Sequence, residues 1–171
     1  VTSEGVVVYV AAALRSVAER LDAPVVTTVN ARGAMARHAL DVPASPSLAP
    51  IRDLIAPSDF VLAVGTELGR PDYDMYDEGG AMPAHPNLAR IDIDRAQASA
   101  RDDRGPVLLA DAGRALAALL PHLTATSRSG PARAGAARRA ALASLSDAYR
   151  AQIAMLSEIW KAMPDAIIIG D

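Results

Sequence analysis

The sequence contains no cysteine and is poor in aromatic residues, with one Phe, one Trp and four Tyr among 171 residues. Without cysteine there is no disulfide framework, no thiolate nucleophile and no cysteine metal site. The shortage of aromatic rings leaves little for stacking nucleic-acid bases. Charge is also thin. The formal net charge of −3 makes no case for nucleic acid or an anionic membrane surface as partner. No apolar run is long enough to span a bilayer, and the opening VTSEG has neither the basic nor the apolar region of a signal peptide. These absences fit a cytoplasmic protein. The first residue is Val rather than Met, so we expect the chain to begin inside a longer protein.

Several catalytic signatures are absent too. GxGxxG and GxxxxGK[ST] do not occur, which removes the dinucleotide fingerprint and the P-loop. Ser45 and Ser47 sit in a proline-rich loop without a GxSxG elbow, so a serine hydrolase is not supported. His38, His85 and His122 are scattered without HxxxH or HExxH spacing. Glu67, Asp72, Asp74, Asp77 and Glu78 make an acidic loop without regular ligand spacing, and we assign no metal to it. Arg128, Arg133, Arg138 and Arg139 read as the solvated start of a helix.

What the chain does have is aliphatic residues in short blocks. Half of it is apolar, enough for a core in one domain of ordinary size. Residues 8–21 have the spacing of a helix, with Leu14, Val17, Ala18 and Leu21 on one face; Asp22-Ala23-Pro24 ends it. Residues 24–29 read as a strand running into a turn at Gly33. Residues 34–50 read as loop, and 51–56 as a turn or two of helix. Residues 60–64, 87–94 and 107–110 read as strands, with loop at 72–86. Asp111 caps a helix at 112–120, stopped by Pro121. The strands are continuous apolar runs, which predicts a parallel sheet buried on both faces. Residues 124–133 are mostly Ser, Thr, Gly, Pro and Arg, a linker by composition. Residues 134–163 read as one long helix with an apolar stripe of Leu142, Leu145, Tyr149, Ile153, Leu156, Ile159 and Trp160. Residues 166–169 read as a further strand.

The most informative stretch is VLAVGTELGRPDYDMY, residues 61–76. Gly65-Thr66 follows a buried strand and can approach a phosphate closely or simply end the strand. Asp92 and Asp94 alternate with Ile91 and Ile93, so period two puts both carboxylates on one side. They suit ribose hydroxyls at a sheet edge, or a solvated strand end paired to Arg90 or Arg95.

Five segments then match one pattern in order: LRSVAERLDAPVVTT at 14–28, Arg32-Gly33, SDFVLAVGTEL at 58–68, ARIDID at 89–94 and ADAGRAL at 110–116. This set resembles the central domain of thiamine-diphosphate-dependent enzymes, the group of acetolactate synthase, pyruvate oxidase and 2-oxo acid decarboxylases. MPDAIIIGD at 163–171 looks like the first strand of that family's C-terminal domain. The resemblance implies an α/β chain with a Rossmann-like three-layer parallel sheet and helices on both faces, a DHS-like nucleotide-binding fold. It implies a central domain at 5–123, a linker at 124–133 and the start of a C-terminal domain at 134–171. Thiamine diphosphate and Mg²⁺ would be held by the other two domains of a homodimeric or homotetrameric parent acting on a 2-oxo acid. No catalytic residue would then lie in this chain, and alone it would be inactive.

By position, Thr28, Val29, Gly65, Thr66, Asp92, Ile93, Asp111 and Ala112 match the family's nucleotide-contacting turns, which hold FAD in some members and ADP in others. Two departures argue against FAD. The glycine triplet after the family's first strand is reduced to Gly5, that strand being missing or replaced by VTSEG, and Glu67 stands where FAD users often carry a basic residue. A carboxylate there repels pyrophosphate, offset only in part by Arg70. The GTELG…DYDMY loop looks most like the acetolactate synthase-like decarboxylases, one class of which acts on guanidino 2-oxo acids. The alternative is a stand-alone Rossmann-type module binding FAD, ADP or NAD. A third reading is a purely structural domain pairing through the stripe at 142–160.

Overall fold

The computed structural model describes residues 3–66, 68, 85–96 and 105–165. It opens on helix α1, Ser3–Leu21. The start lies five residues before the predicted one, so the valines at 6–8 are helical. β-branched residues disfavour helix by only a few tenths of a kcal/mol each, roughly, and extending an existing helix offsets that. α1 ends in a Schellman turn: the Ala23 amide donates to the Ala18 carbonyl (3.0 Å) and the Asp22 amide to Glu19 (3.2 Å). Asp22 takes the left-handed position, φ 48°, which a short polar side chain tolerates.

Two parallel sheets follow. β1 (Val25–Val26) pairs with β2 (Asp41–Val42), Val25 opposite Asp41. β3 (Val61–Val64), β4 (Leu88–Asp92) and β5 (Val107–Leu109) form the second sheet in that order, Val64 opposite Ile91 and Asp92 opposite Leu109. Short 3-10 turns occupy Val29–Ala31 and Leu120–His122. The remaining helices are α2 (Ala49–Ile55), α3 (Ala112–Leu119), α4 (Gly130–Ser144) and α5 (Asp147–Ala162).

Period-two alternation sorts the strand side chains between two helical layers. Val25 packs with Leu14 and Ala18 of α1 and with Met35 and Leu40. Its neighbour Val26 packs the other way, into Val42, Ile51 of α2 and Ala134, Ala137 and Ala141 of α4. In the second sheet Leu62, Val64 and Ile91 meet Val17 of α1 and Ala115 and Leu116 of α3, while Val61 and Ala63 meet Leu68 and Leu88 on the opposite side. The fold is therefore α/β, with parallel sheets and flanking helices. Burial on both faces holds for β2 and β4; β1 is half-buried, and the three residues of β5 are all more than two-fifths exposed. β5 is the outer strand of its sheet among the described residues.

The structure departs from the sequence reading at three further places. β2 lies inside the region taken for loop; its two residues are held by Val25 donating to the Leu40 carbonyl at 2.9 Å. The helix expected over 134–163 is two helices. The chain leaves helical geometry at Leu145 and Ser146, and the Ser146 hydroxyl accepts from the Tyr149 amide (3.4 Å) to start α5. Much of the large-residue stripe faces outward: Leu142, Tyr149, Ile153 and Trp160 are exposed, Trp160 by 56%. The buried face of α4 is alanine instead, because small side chains let its backbone lie close against α2 and β2.

The 124–133 segment is fastened to the end of α1. Thr126 donates its amide to the Arg20 carbonyl (3.0 Å) and its hydroxyl to Leu21 (2.6 Å). The Asp22 carboxylate accepts the amides of Arg128 (2.6 Å) and Gly130 (3.0 Å). Residue 130 must be glycine here, since a Cβ would lie 2.2 Å from the Asp22 carbonyl oxygen. The expected strand at 166–169, the acidic residues at 67, 72, 74, 77 and 78, and residues 97–104 of the polar segment lie outside the described residues.

Candidate functional site at the strand ends

Parallel strands deliver their C-terminal ends to one edge, and the second sheet does so with Gly65, Asp92 and Asp111. Gly65 turns at φ 57°, and its amide donates to Ile91 (2.8 Å), so the turn starts as a continuation of the ladder. Asp92 closes β4, and its carbonyl accepts the Ala110 amide (2.9 Å). Asp111 is the N-cap of α3, with Oδ1 accepting from the Arg114 amide at 2.9 Å, and Ala112 is the first residue of that helix.

The carboxylates on this edge are engaged with their own backbone. Asp92 Oδ1 accepts the Asp94 amide (2.9 Å), and Asp94 Oδ1 accepts the Ala96 amide (2.7 Å), two successive Asx turns. β4 ends at Asp92, so the alternation that would set Asp92 and Asp94 side by side lapses there. Asp92 is buried, whereas Asp94 and Ile93 are exposed.

Thr28 and Val29 end β1 in the other sheet. Thr28 is extended (φ −72°, ψ 171°) and its carbonyl accepts the Ala31 amide (3.0 Å). Thr28 and Thr66 share a cavity of about 520 Å³ between β1 and β3, lined by Leu14, Val17 and Leu21 of α1, Leu54 and Ile55 of α2, and the facing strands. Val29, Gly65, Asp92, Ile93, Asp111 and Ala112 are not among its lining residues. Of the eight candidate residues, Gly65, Asp92, Ile93, Asp111 and Ala112 lie at the edge of the second sheet, Thr28 and Thr66 line the cavity, and Val29 belongs to neither. Glu67 and Arg70 lie outside the described residues.

Arg90 is a residue the sequence reading treated only as a partner for Asp92 and Asp94. It is buried in β4, and its Nη2 donates to the Thr66 carbonyl (3.3 Å), clasping the Gly65-Thr66 turn to the neighbouring strand. An arginine in the middle of an otherwise apolar strand is the signal that could have found it.

Among the described residues two carboxylates have shifted acidity, both away from the strand ends. Asp41 is raised above the ordinary carboxylate range because burial disfavours its charged form, with Arg138 opposing. Asp22 is lowered, first by the Gly130 amide and then by that of Arg128.

The described residues do not fit thiamine diphosphate with Mg²⁺. A divalent cation bridging a diphosphate needs converging oxygen ligands. Among the described residues no three His, Asp or Glu side chains gather at one point, and the cavity beside β1 is walled mainly by aliphatic side chains.

Comparison with known proteins places the chain. The family described as thiamine pyrophosphate enzyme, central domain, matches residues 4–119. A curated protein named probable 2-ketoarginine decarboxylase AruI, from Pseudomonas aeruginosa, is 38% identical over 167 residues, covering 93% of this chain and 29% of that protein. The chain therefore spans less than a third of the length of that relative. Two-thirds of the chain falls within the family match, and the chain belongs to the thiamine-diphosphate-dependent enzymes, as their central domain.

Proposed function

We propose that this chain is the central, architectural domain of a thiamine-diphosphate-dependent decarboxylase acting on a guanidino 2-oxo acid such as 2-ketoarginine. The observation that carries the reading is the 38% identity sustained across 93% of the chain to the relative named for that activity. In this reading thiamine diphosphate and Mg²⁺ belong to the other two domains of a cytoplasmic homodimeric or homotetrameric parent, and the chain alone is inactive. What this chain's own residues do is hold shape: α4 anchors the segment after the central sheet, and the turns at Gly65 and Asp92 present loops at the edge. The complete three-layer Rossmann-like sheet is part of the same reading. FAD or ADP is not, because Asp92 and Asp111 already serve as backbone caps.

The test is a chimera in which this chain replaces the matching stretch of the Pseudomonas relative, assayed for CO₂ release from 2-ketoarginine. Activity within about tenfold of the relative's is expected, since domain contacts rather than chemistry are exchanged. A folded, oligomeric chimera without activity refutes the reading. Calorimetric titration of the 171-residue chain with thiamine diphosphate and Mg²⁺ should be flat, and saturable binding would overturn the assignment of the cofactor to other domains.

A further inference from the structure

Two of the three histidines hold the same place in the fold. His38 lies three residues before β2, and His85 three residues before β4. Nδ1 of each ring accepts the amide two residues on, Leu40 at 3.2 Å and Asn87 at 3.2 Å. The carbonyl of that second residue accepts the first amide of the neighbouring strand. Leu40 takes Val25 of β1 at 2.9 Å, and Asn87 takes Val61 of β3 at 3.0 Å. Nε2 of each ring reaches back to the segment ahead of that neighbouring strand. His38 meets the Glu19 carboxylate of α1 at 3.0 Å, and His85 the Ser58 carbonyl at 2.9 Å. His38-Ala39-Leu40 and His85-Pro86-Asn87 share only the histidine, so the match is one of geometry. The third, His122, is exposed at the end of a 3-10 turn.

An imidazole nitrogen that accepts an amide proton carries none of its own, so both rings are neutral with the proton on Nε2. That proton is donated to Glu19 in one case and to Ser58 in the other. The Ser58 hydroxyl donates to the Ile55 carbonyl at 2.6 Å, which leaves it to accept a share of the His85 proton at 3.2 Å. A second proton can go only to Nδ1, where it meets the Leu40 or Asn87 amide donor to donor. The bonds at Nε2 survive that step, because a carboxylate or a carbonyl still accepts from a charged ring. Charging therefore opens the strand side alone. Around His38 stand Arg15 and Glu19 of α1, Asp41 of β2 and Arg138 of α4, which donates to the Ala39 and Asp41 carbonyls. Beside Ser58, the Asp59 carboxylate is bound by Arg128.

We propose that His38 and His85 are two copies of one acid-opened latch. The neutral ring fixes where β2 and β4 begin, and protonation at Nδ1 releases the strand entry while the ring stays bound to α1 or to the α2–β3 connection. The two copies differ in what depends on them. β2 has two residues and one partner strand, whereas β4 has five residues and two partners. The Asn87 side chain also donates to the Asp59 carbonyl at 2.8 Å, which keeps residue 87 tied after Nδ1 lets go. Opening at His38 thus has the wider reach. It frees the Leu40 amide, loosens the Leu40 carbonyl that receives Val25, and passes through Val42 to its contacts with Ile51 and Ala134. Neither latch depends on the decarboxylase reading.

Two measurements on the 171-residue chain test the latches. Nitrogen-15 NMR of the imidazoles at about pH 8 is expected to show His38 and His85 as Nε2–H tautomers, with exposed His122 as the reference for an unconstrained ring. An Nδ1–H tautomer at either latch overturns the proposal. The second measurement follows protection of the Leu40, Val25 and Asn87 amides from about pH 8 to about pH 5, the span in which histidine charges, corrected for the intrinsic pH dependence of exchange. It is made in an Asp41→Asn background, because burial raises that carboxyl and its titration would overlap. Protection at Leu40 and Asn87 is expected to fall by at least about tenfold, the equivalent of one hydrogen bond, and Val25 to follow Leu40. His38→Asn and His85→Asn keep an oxygen that can accept the amide two residues on but cannot charge. Each is expected to flatten the profile at its own latch and leave the other unchanged. A flat profile with both histidines present, or the same fall with asparagine in place, overturns the proposal. Should an asparagine variant not fold, the tautomers and the profile of the histidine form decide the matter.

Discussion

Replacing Ala134 by leucine tests whether α4 is a structural part of the central unit or the far side of a linker. Ala134 is fully buried and lies in one cluster with Val42 and Ile51, which are also fully buried. Leucine adds three carbons where none fit, and such overpacking destabilises by about 1–3 kcal/mol. For a chain of this length that lowers the melting temperature by roughly 2–4 °C per kcal/mol. Ile51→Ala, which opens space on the facing side, should alone be destabilising by about 2–5 kcal/mol. Combined, the added leucine can occupy the volume vacated at 51, so the double variant should be more stable than the sum of the singles by roughly 0.5–3 kcal/mol. The assay is urea unfolding followed by far-ultraviolet circular dichroism for wild type, both singles and the double. A neutral Ala134→Leu beside a destabilising Ile51→Ala, with strict additivity, refutes the packing of α4 on α2 and β2.

Three other outcomes follow from individual side chains. Asp111→Ala removes the cap on the Arg114 amide and should be destabilising by about 0.5–2 kcal/mol, read as a shift in the urea midpoint, with Asp111→Asn largely sparing it. Asp41 has a raised folded-state pKa, so its contribution favours folding at low pH and is lost as pH rises through the folded value. Asp41→Asn should accordingly raise the melting temperature at pH 8 and lose that advantage near pH 4. Asp22 is the opposite case: its folded pKa is lowered, so its hold on residues 128–130 is complete above the ordinary carboxylate range and is lost as pH falls through the folded value. Protection of the Arg128 and Gly130 amides, corrected for the intrinsic pH dependence of exchange, should fall in acid for wild type and already be low at neutral pH in Asp22→Ala.

The fold was legible where a single local signal decided the outcome. Val61–Val64, Leu88–Asp92 and Val107–Leu109 stand out as short apolar runs, and Asp111 announces α3 as a cap followed by alanine and leucine. β2 was not legible, because two residues held by one neighbouring strand leave no periodicity to read. The break after Ser144 did carry a signal, Ser146-Asp147, an N-cap with an acid in the first turn, but the surrounding alanines keep helical propensity high on both sides of it. Side-chain size misled at α4. Large apolar residues mark a core only if the partner surface leaves room for them, and the facing surface of α2 and β2 admits alanine alone.

The site was legible in position more than in role. That Gly65, Asp92 and Asp111 would reach one sheet edge follows from parallel strands and needs no tertiary information. What their side chains do there depends on whether the next backbone amides come within reach. Asp94 lies two residues after Asp92, Ala96 two after Asp94, and Arg114 three after Asp111, and in each case the carboxylate accepts from that amide. A carboxylate used in this way has one oxygen committed to the loop, and its value to the protein is a fixed turn. The same logic separates Thr27 from its neighbours. Thr28 and Thr66 use their backbone carbonyl groups in turns and clasps, while the Thr27 hydroxyl is buried beside two sheet edges. The strand-end carboxylates are thus satisfied by the next backbone amides, whereas the Thr27 hydroxyl finds no hydrogen-bond partner among the described residues.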